Sequence, residues 1–422
     1  MRIVCPVTQR VIVGGTPRYG DRSGPVWLSA GFRPFFLLAA IWAAIAVPLW
    51  LALFGGHASL PQVLPPILWH GHEMIFGFGA ATVAGFLLTA IPNWTGRMPL
   101  QNGPLAGLVG LWLGGRLAML VSDVIGPAST AALDLAFPSV FLLVVAREII
   151  AGRNWRNLPM LVALGLLLAA NGLVHLEALD LMATAATGNR LGIATLLMLI
   201  SLVGGRIIPS FTGNWLARER TEVPAPALFD RFDAGVLAIT GATLILWVAE
   251  PELAPLPWLA VAAGVAALVR LSRWRGTAVL REPLLWILHL GYAWLGVGLL
   301  LLGASAFIPV LPATSALHAL SAGAIGTMIL AVMTRASLGH TGRPLSAGRM
   351  TRVIYGLVTL AAILRVVAPL CGDSYSLALT LAGAAWCGAF GLFAFVYGRI
   401  LVGWDQRIAS TAAGPARTVG PV

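Results

Sequence analysis

The chain has 422 residues, 58% of them hydrophobic and only 10% charged, with a mean hydropathy of +0.87. A water-soluble globule carries about a quarter charged residues, so this composition excludes one and places the chain in a lipid bilayer. The formal net charge of +11 does not signal nucleic acid: all 27 basic residues are Arg, none is Lys, and they fall between apolar runs.

Residues 1–25 are polar and Arg-bearing, without a short apolar core or a small-residue cleavage site. They read as a cytoplasmic tail and not as a signal peptide. A spanning helix needs roughly 20 mostly apolar residues. Twelve such runs follow, at 27–54, 68–92, 103–122, 129–150, 157–177, 190–211, 229–249, 252–272, 282–304, 313–335, 351–371 and 375–401. Turn chemistry marks the joints: Gly126-Pro127 after the third run, Pro251 and Pro255 between the seventh and eighth, Pro309 and Pro312 before the tenth. The expected fold is all-α, a polytopic membrane helical bundle of about twelve transmembrane helices over 26–403, with a second cytoplasmic tail at 404–422.

The tail, the segments after even-numbered helices and the C-terminus hold 24 of the 27 Arg, leaving Arg116, Arg190 and Arg365 elsewhere. By the positive-inside rule both termini are cytoplasmic. The opposite loops carry Asp123, Asp180, Glu250, Glu252 and Asp373. An internal echo accompanies this plan: helix 2 ends TAIPNWTGR (89–97), helix 6 ends RIIPSFTGN (206–214) and helix 10 ends RASLGHTGR (335–343). Either the protein is three four-helix units about a pseudo-threefold axis, or Thr-Gly is simply a common helix stop.

Cys5, Cys371 and Cys387 form no CxxC pair and no CxxCH site, so neither a disulfide framework nor a covalently attached haem is indicated. Any haem would be held by His alone. The seven His separate by depth. His70 and His72 open helix 2, His175 closes helix 5 and His318 lies early in helix 10, all towards the non-cytoplasmic face. His289 enters from the cytoplasmic end of helix 9, His340 lies in the loop after helix 10, and His57 is solvent-exposed in an outer loop. A lone membrane His usually snorkels or bonds a neighbouring helix. Four at one level point instead to ligands, and imidazole is the commonest ligand of haem iron, copper and zinc.

The His-Gly-His step of WHGHEM sharpens this, because residues two apart on a helix point about 200° from one another. Either each His serves a different site, one as an axial haem ligand and the other as a copper ligand, or the helix begins only after them. Small residues Gly77, Ala81 and Gly85 on helix 2, and Ala319, Gly323 and Gly326 on helix 10, admit tight helix packing or a flat macrocycle. Arg116 and Arg365 lie inside apolar runs and need anionic partners: haem propionates, Glu73 or Glu177. At the inner face Arg33, Arg97, Arg206 and Arg335, with Trp94 and Trp215, read as interfacial anchors.

GFRPFFLLA (31–39), WHGHEMIFGF (69–78) leading into AGFLLTAIPNWTG (84–96), GGRIIPSFTGNWL (204–216) and HALSAGAIGTMILAVMTRASLGHTGRP (318–344) together resemble the NnrS family of multispanning membrane proteins. The resemblance runs over nearly the whole chain. It implies haem b and copper bound in the bacterial cytoplasmic (inner) membrane, and protection against nitric oxide or nitrosylated species, with no settled catalytic reaction to carry over. His70, His72, His318 and His340 stand inside the matching blocks, and His175 and His289 in shorter matching stretches. A looser architectural likeness, to the catalytic subunit of the haem-copper oxidases, would place a six-coordinate haem between helices 2 and 10. This chain departs from that plan, with no His pair on helix 7 and no His in helix 6.

The leading expectation is therefore a haem- and copper-binding membrane protein of the nitrosative stress response, with sites near the outer half of the bilayer. Turnover would need a membrane electron donor, for which this chain encodes no domain. The alternative is a secondary transporter or metal exporter, against which stand helix interiors poor in Asp and Glu and helix breaks confined to the ends. A sensor or assembly factor using haem structurally is the third reading.

Overall fold

The computed structural model describes residues 24–404 except Leu228. Nearly all of the expected tails 1–25 and 404–422, and Cys5, lie outside the described residues.

Twelve helices follow in order: α1 (Phe32–Phe54), α2 (Pro66–Thr95), α3 (Asn102–Leu120), α4 (Pro127–Ala151), α5 (Trp155–Ala178), α6 (Ala185–Arg218), α7 (Arg231–Ala249), α8 (Leu256–Ser272), α9 (Pro283–Ala304), α10 (Ala313–His340), α11 (Arg349–Leu370) and α12 (Gly372–Leu401). All but α8 are long and apolar enough to cross a membrane, and α8 is a shorter apolar helix packed between α7 and α9. Among the described residues there is no strand. The twelve apolar runs thus became twelve helices, with two corrections. α6 continues through Gly213 to Arg218, so Thr-Gly is not a stop there, whereas Gly96 and Gly342 adopt φ +69° and +70° and turn the chain. α10 reaches His340, which ends the helix and is not in the loop after it.

Successive helices pack as neighbours, and α1 against α12 closes the ring. α2, α6 and α10 run parallel and are the inner members, α6 touching both of the others. Buried residues make up 72% of the apolar window of α2 and of α10 and 61% of that of α6, against 33–44% for the long helices other than α9. These are the three helices that carry the sequence echo. Each also contains a π-helical segment within its span: Glu73–Gly79, Ile200–Gly204 and Ala319–Gly326. Irregular backbone is therefore not confined to helix ends, as hydropathy suggested. A π segment widens the turn and commonly marks a functional site. The Trp112 indole on α3 donates to the Gly77 carbonyl in the first of these segments at 2.9 Å.

Close approach follows from small residues. A Cβ at Gly192 of α6 would lie 2.6 Å from Ile75 of α2, so only glycine lets these helices meet here. Gly323 and Gly326 of α10 receive the rings of Trp294 and Trp386, and Gly85 of α2 receives Phe36. Side-chain rings, and not a macrocycle, occupy those notches.

Candidate functional site

α2 begins at Pro66, so both His of the His-Gly-His step are helical and face different surroundings. His72 is fully buried among α2, α4 and α5, whereas His70 faces a cavity between α2 and α10. The four His at one level are thus two pairs, His72 with His175 and His70 with His318.

The first pair sits in a polar cluster inside the bundle. The Nε2 of His72 lies 3.1 Å from Oδ2 of Asp134 and 2.8 Å from Oδ1 of Asn171, and its Nδ1 lies 3.0 Å from Oε1 of Glu73. His175 brings Nε2 to 2.9 Å from the same Asp134 oxygen. Arg116 donates from Nη1 to Glu73 at 2.5 Å and from Nη2 to Asp134, and the Trp42 indole donates to Glu73 at 2.8 Å. Arg116 therefore answers to two carboxylates of the protein, Glu73 as expected and Asp134 beside it. Glu177 is engaged elsewhere, accepting from the Ala185 amide at 2.7 Å.

Two features make this cluster a candidate cation site. Two carboxylates face one guanidinium, so one negative charge remains in a place where Glu73, Asp134 and His72 are at most 1% exposed. An uncompensated charge at such depth is expensive, and one further positive charge, an imidazolium or a metal ion, balances it. In addition, ligand atoms of His72, Asp134 and His175 converge within 4.8 Å of one another. Two metal bonds of about 2.0–2.1 Å span at most about 4.2 Å, and the Asp134 oxygen lies 3.1 and 2.9 Å from the two imidazole nitrogens, inside that span. The Glu73 carboxylate on the far ring nitrogen of His72 is the outer partner that orients a ligating imidazole.

The second pair lines an apolar cavity of about 140 Å³ among α1, α2, α6, α10, α11 and α12. The Nδ1–H of His318 donates to the Thr314 carbonyl at 2.7 Å, which leaves Nε2 as a free lone pair. His70 stacks on Trp50 with ring centroids 4.2 Å apart, and its Nδ1 is buried without a partner. Arg365 lines the same cavity and keeps a buried, unpartnered Nη1. Two imidazoles, apolar walls and an arginine with a donor to spare are the donor chemistry that a haem with its propionates calls for.

The remaining candidates lie apart. The Nε2 of His289 is 3.0 Å from the Thr212 hydroxyl, and His340 packs against Phe32 with centroids 5.6 Å apart. Neither lines the cavity nor joins the cluster. Sequence reasoning passed over Asp134 and Asn171, and the expectation that helix interiors lack acidic residues is corrected by buried Asp134, Glu73 and Asp233. A signal existed: Arg116 lies near the end of α3 and Asp134 near the start of α4, so two lone charges in adjacent apolar runs share a depth.

The fold and its sites define a polytopic all-α membrane protein with buried histidine sites around its inner helices. The model of the family described as NnrS protein matches residues 26–404, and the chain belongs to that family. With membership come a general role in the nitric oxide response and the family's standing as metal-binding. Among curated proteins, none matches the chain.

Proposed function

We propose that the protein binds haem b in the His70–His318 cavity and copper at His72, Asp134 and His175, and uses them against nitric oxide or nitrosylated species. The observation that carries this reading is the division of the His-Gly-His step between two unlike environments, one an apolar cavity, one a polar cluster with one carboxylate more than it has guanidiniums. His70 and His318 would hold the haem iron through ring nitrogens, and Arg365 would donate to a propionate. Two imidazoles and a single carboxylate suit copper better than the all-oxygen ions, and a monovalent copper would leave the cluster neutral. When bound, haem supplies an iron that takes nitric oxide if a coordination position opens, and copper a centre that exchanges electrons.

The residues around the groups do the rest. Thr314 holds the His318 ring and its tautomer, and Glu73 does the same for His72. Trp50 keeps His70 in a stacked orientation, and the apolar walls exclude water. The buried carboxylates Glu73, Asp134 and Asp233 are each paired with Arg, which favours fixed ion pairs over the titrating acids of an ion-coupled transporter. We place both termini in the cytoplasm and the histidine sites in the outer half of the inner membrane, supported by the Arg distribution. An electron donor from the membrane would complete any turnover.

Optical and EPR spectra of purified protein, with metals quantified, test the assignment. His70→Ala and His318→Ala should lose haem or convert it to high spin while keeping copper. His72→Ala and His175→Ala should lose copper while keeping haem. A wild-type protein that binds neither when both are supplied overturns the metal reading and leaves the transporter in its place.

A further inference from the structure

A second cavity of about 100 Å³ lies below the first, along the axis shared by α2, α6 and α10. On α2 the upper cavity ends at Phe78 and the lower begins at Thr82. On α6 and α10 the two share a residue each, Leu196 and Ile325, and then continue down the helix. Because the three helices run parallel, later residues are deeper in all three, and the cavities are stacked with Leu196 and Ile325 between them. Gly79 leaves room for this divider: a Cβ there would sit 3.0 Å from Cδ1 of Leu196.

The two chambers differ in chemistry. The upper one has His70, His318 and Arg365 in its wall. The lower one is lined by aliphatic, aromatic and thioether side chains, and its one polar side chain, Thr82, already donates to the Phe78 carbonyl at 3.1 Å. A water molecule held in a protein needs about 2–4 polar partners, and apolar cavities without them stay dry and take apolar guests such as xenon. Ions and water-soluble substrates have nothing to bind here.

We propose that the lower chamber is a binding site for a small, uncharged, apolar gas, held on its way past Leu196 and Ile325 into the His70–His318 cavity. This deepens the functional reading and rests on it for the identity of the gas. Such a gas concentrates in the bilayer, and a dry reservoir one side chain away from the reactive cavity raises its local supply while excluding water and ions.

Xenon tests the chamber without any cofactor. Crystals of the full-length protein pressurised with xenon should show an anomalous peak among Thr82, Ile200 and Ile329, and Ile329→Trp should abolish it. Val203→Phe serves the same purpose should the tryptophan variant not fold. In haem-loaded protein, Ile329→Trp should leave the absorption spectrum unchanged and slow carbon monoxide binding to the reduced form roughly tenfold, equivalent to about 1.4 kcal/mol in barrier height. Xenon absent from the chamber, or an acyl chain or ordered water found filling it, overturns the proposal even if haem is bound as expected. Xenon in the chamber of a protein that binds no haem upholds the gas site and removes the cofactor reading alone.

Discussion

Arg116 and Arg270 are both buried in the bundle, near opposite ends of it, and they are neutralised differently. Arg116, at the end of α3, meets Glu73 and Asp134, two carboxylates for one guanidinium. Arg270, at the end of α8, donates from Nε to Asp233 at 2.7 Å and from Nη1 to the Ser201 carbonyl at 3.0 Å and the Tyr292 hydroxyl at 3.1 Å, and lies over the Trp274 ring. Arg273 joins Asp233 and Asp230, so that end holds two guanidiniums and two carboxylates. The charge-balanced group ties α6, α7, α8 and α9 together, although Nη2 of Arg270 is buried without a partner. The other group has one carboxylate more than it has guanidiniums, and two imidazoles turned towards it. On the proposed reading, it is this difference in charge count, more than the presence of buried charge, that distinguishes a structural network from a candidate site.

Removing each arginine should expose the difference. Arg116→Leu leaves two carboxylates buried without a cation and should cost at least about 3–5 kcal/mol, read as a lower melting temperature in detergent. Added copper should restore part of that loss. Melting unaffected by the substitution would contradict the charge count.

Arg270→Leu should cost about 3 kcal/mol, the low end of that range for a broken buried pair, because Arg273 still reaches Asp233. Haem and copper per folded molecule should stay at wild-type values. Cofactor loss at an unchanged melting temperature would show that this end, too, is a site.

Glu73→Gln keeps the shape but weakens the hold on the far nitrogen of His72. Copper affinity, measured by chelator competition, should fall about 10–100-fold. An unchanged affinity would remove His72 from the ligand set.

The smallest effect belongs to Asp230, the N-cap of α7, which forms a capping box with Asp233. Hydrogen bonds from Arg273, and then from the Asp233 backbone, hold its carboxyl below the usual carboxylate range. A depressed folded-state value means that the stabilisation is present above the unfolded pKa of about 4 and fades as pH falls below it. The melting difference between wild type and Asp230→Asn should therefore be small at pH 7 and shrink further below about pH 4. A difference that grows on acidification would reverse the assigned sign.

The span pattern was legible because hydropathy is a local property: twenty apolar residues must be helical in lipid wherever the rest of the chain goes. The echo at the ends of α2, α6 and α10 was legible for the same reason, and it picked out the three inner helices. The π segments were not, since a widened turn depends on partners such as Trp112 that come from other helices. Nor was the occupation of the small-residue notches by Trp294 and Trp386, which hydropathy and spacing treat as equivalent to any packed helix face.

From residue order alone came the all-α membrane class, about twelve helices and the condition that His70 and His72, if both helical, cannot face the same partner. Helical geometry and the cost of bare backbone in lipid dictate these within a single segment. Which partner each His meets was decided by tertiary structure. His72 finds Asp134 and Asn171 across 62 and 99 residues of sequence, and His70 shares a cavity with His318. Pairings of that range are set by how helices pack around glycines and by where buried charges can be balanced, and both depend on the whole bundle at once.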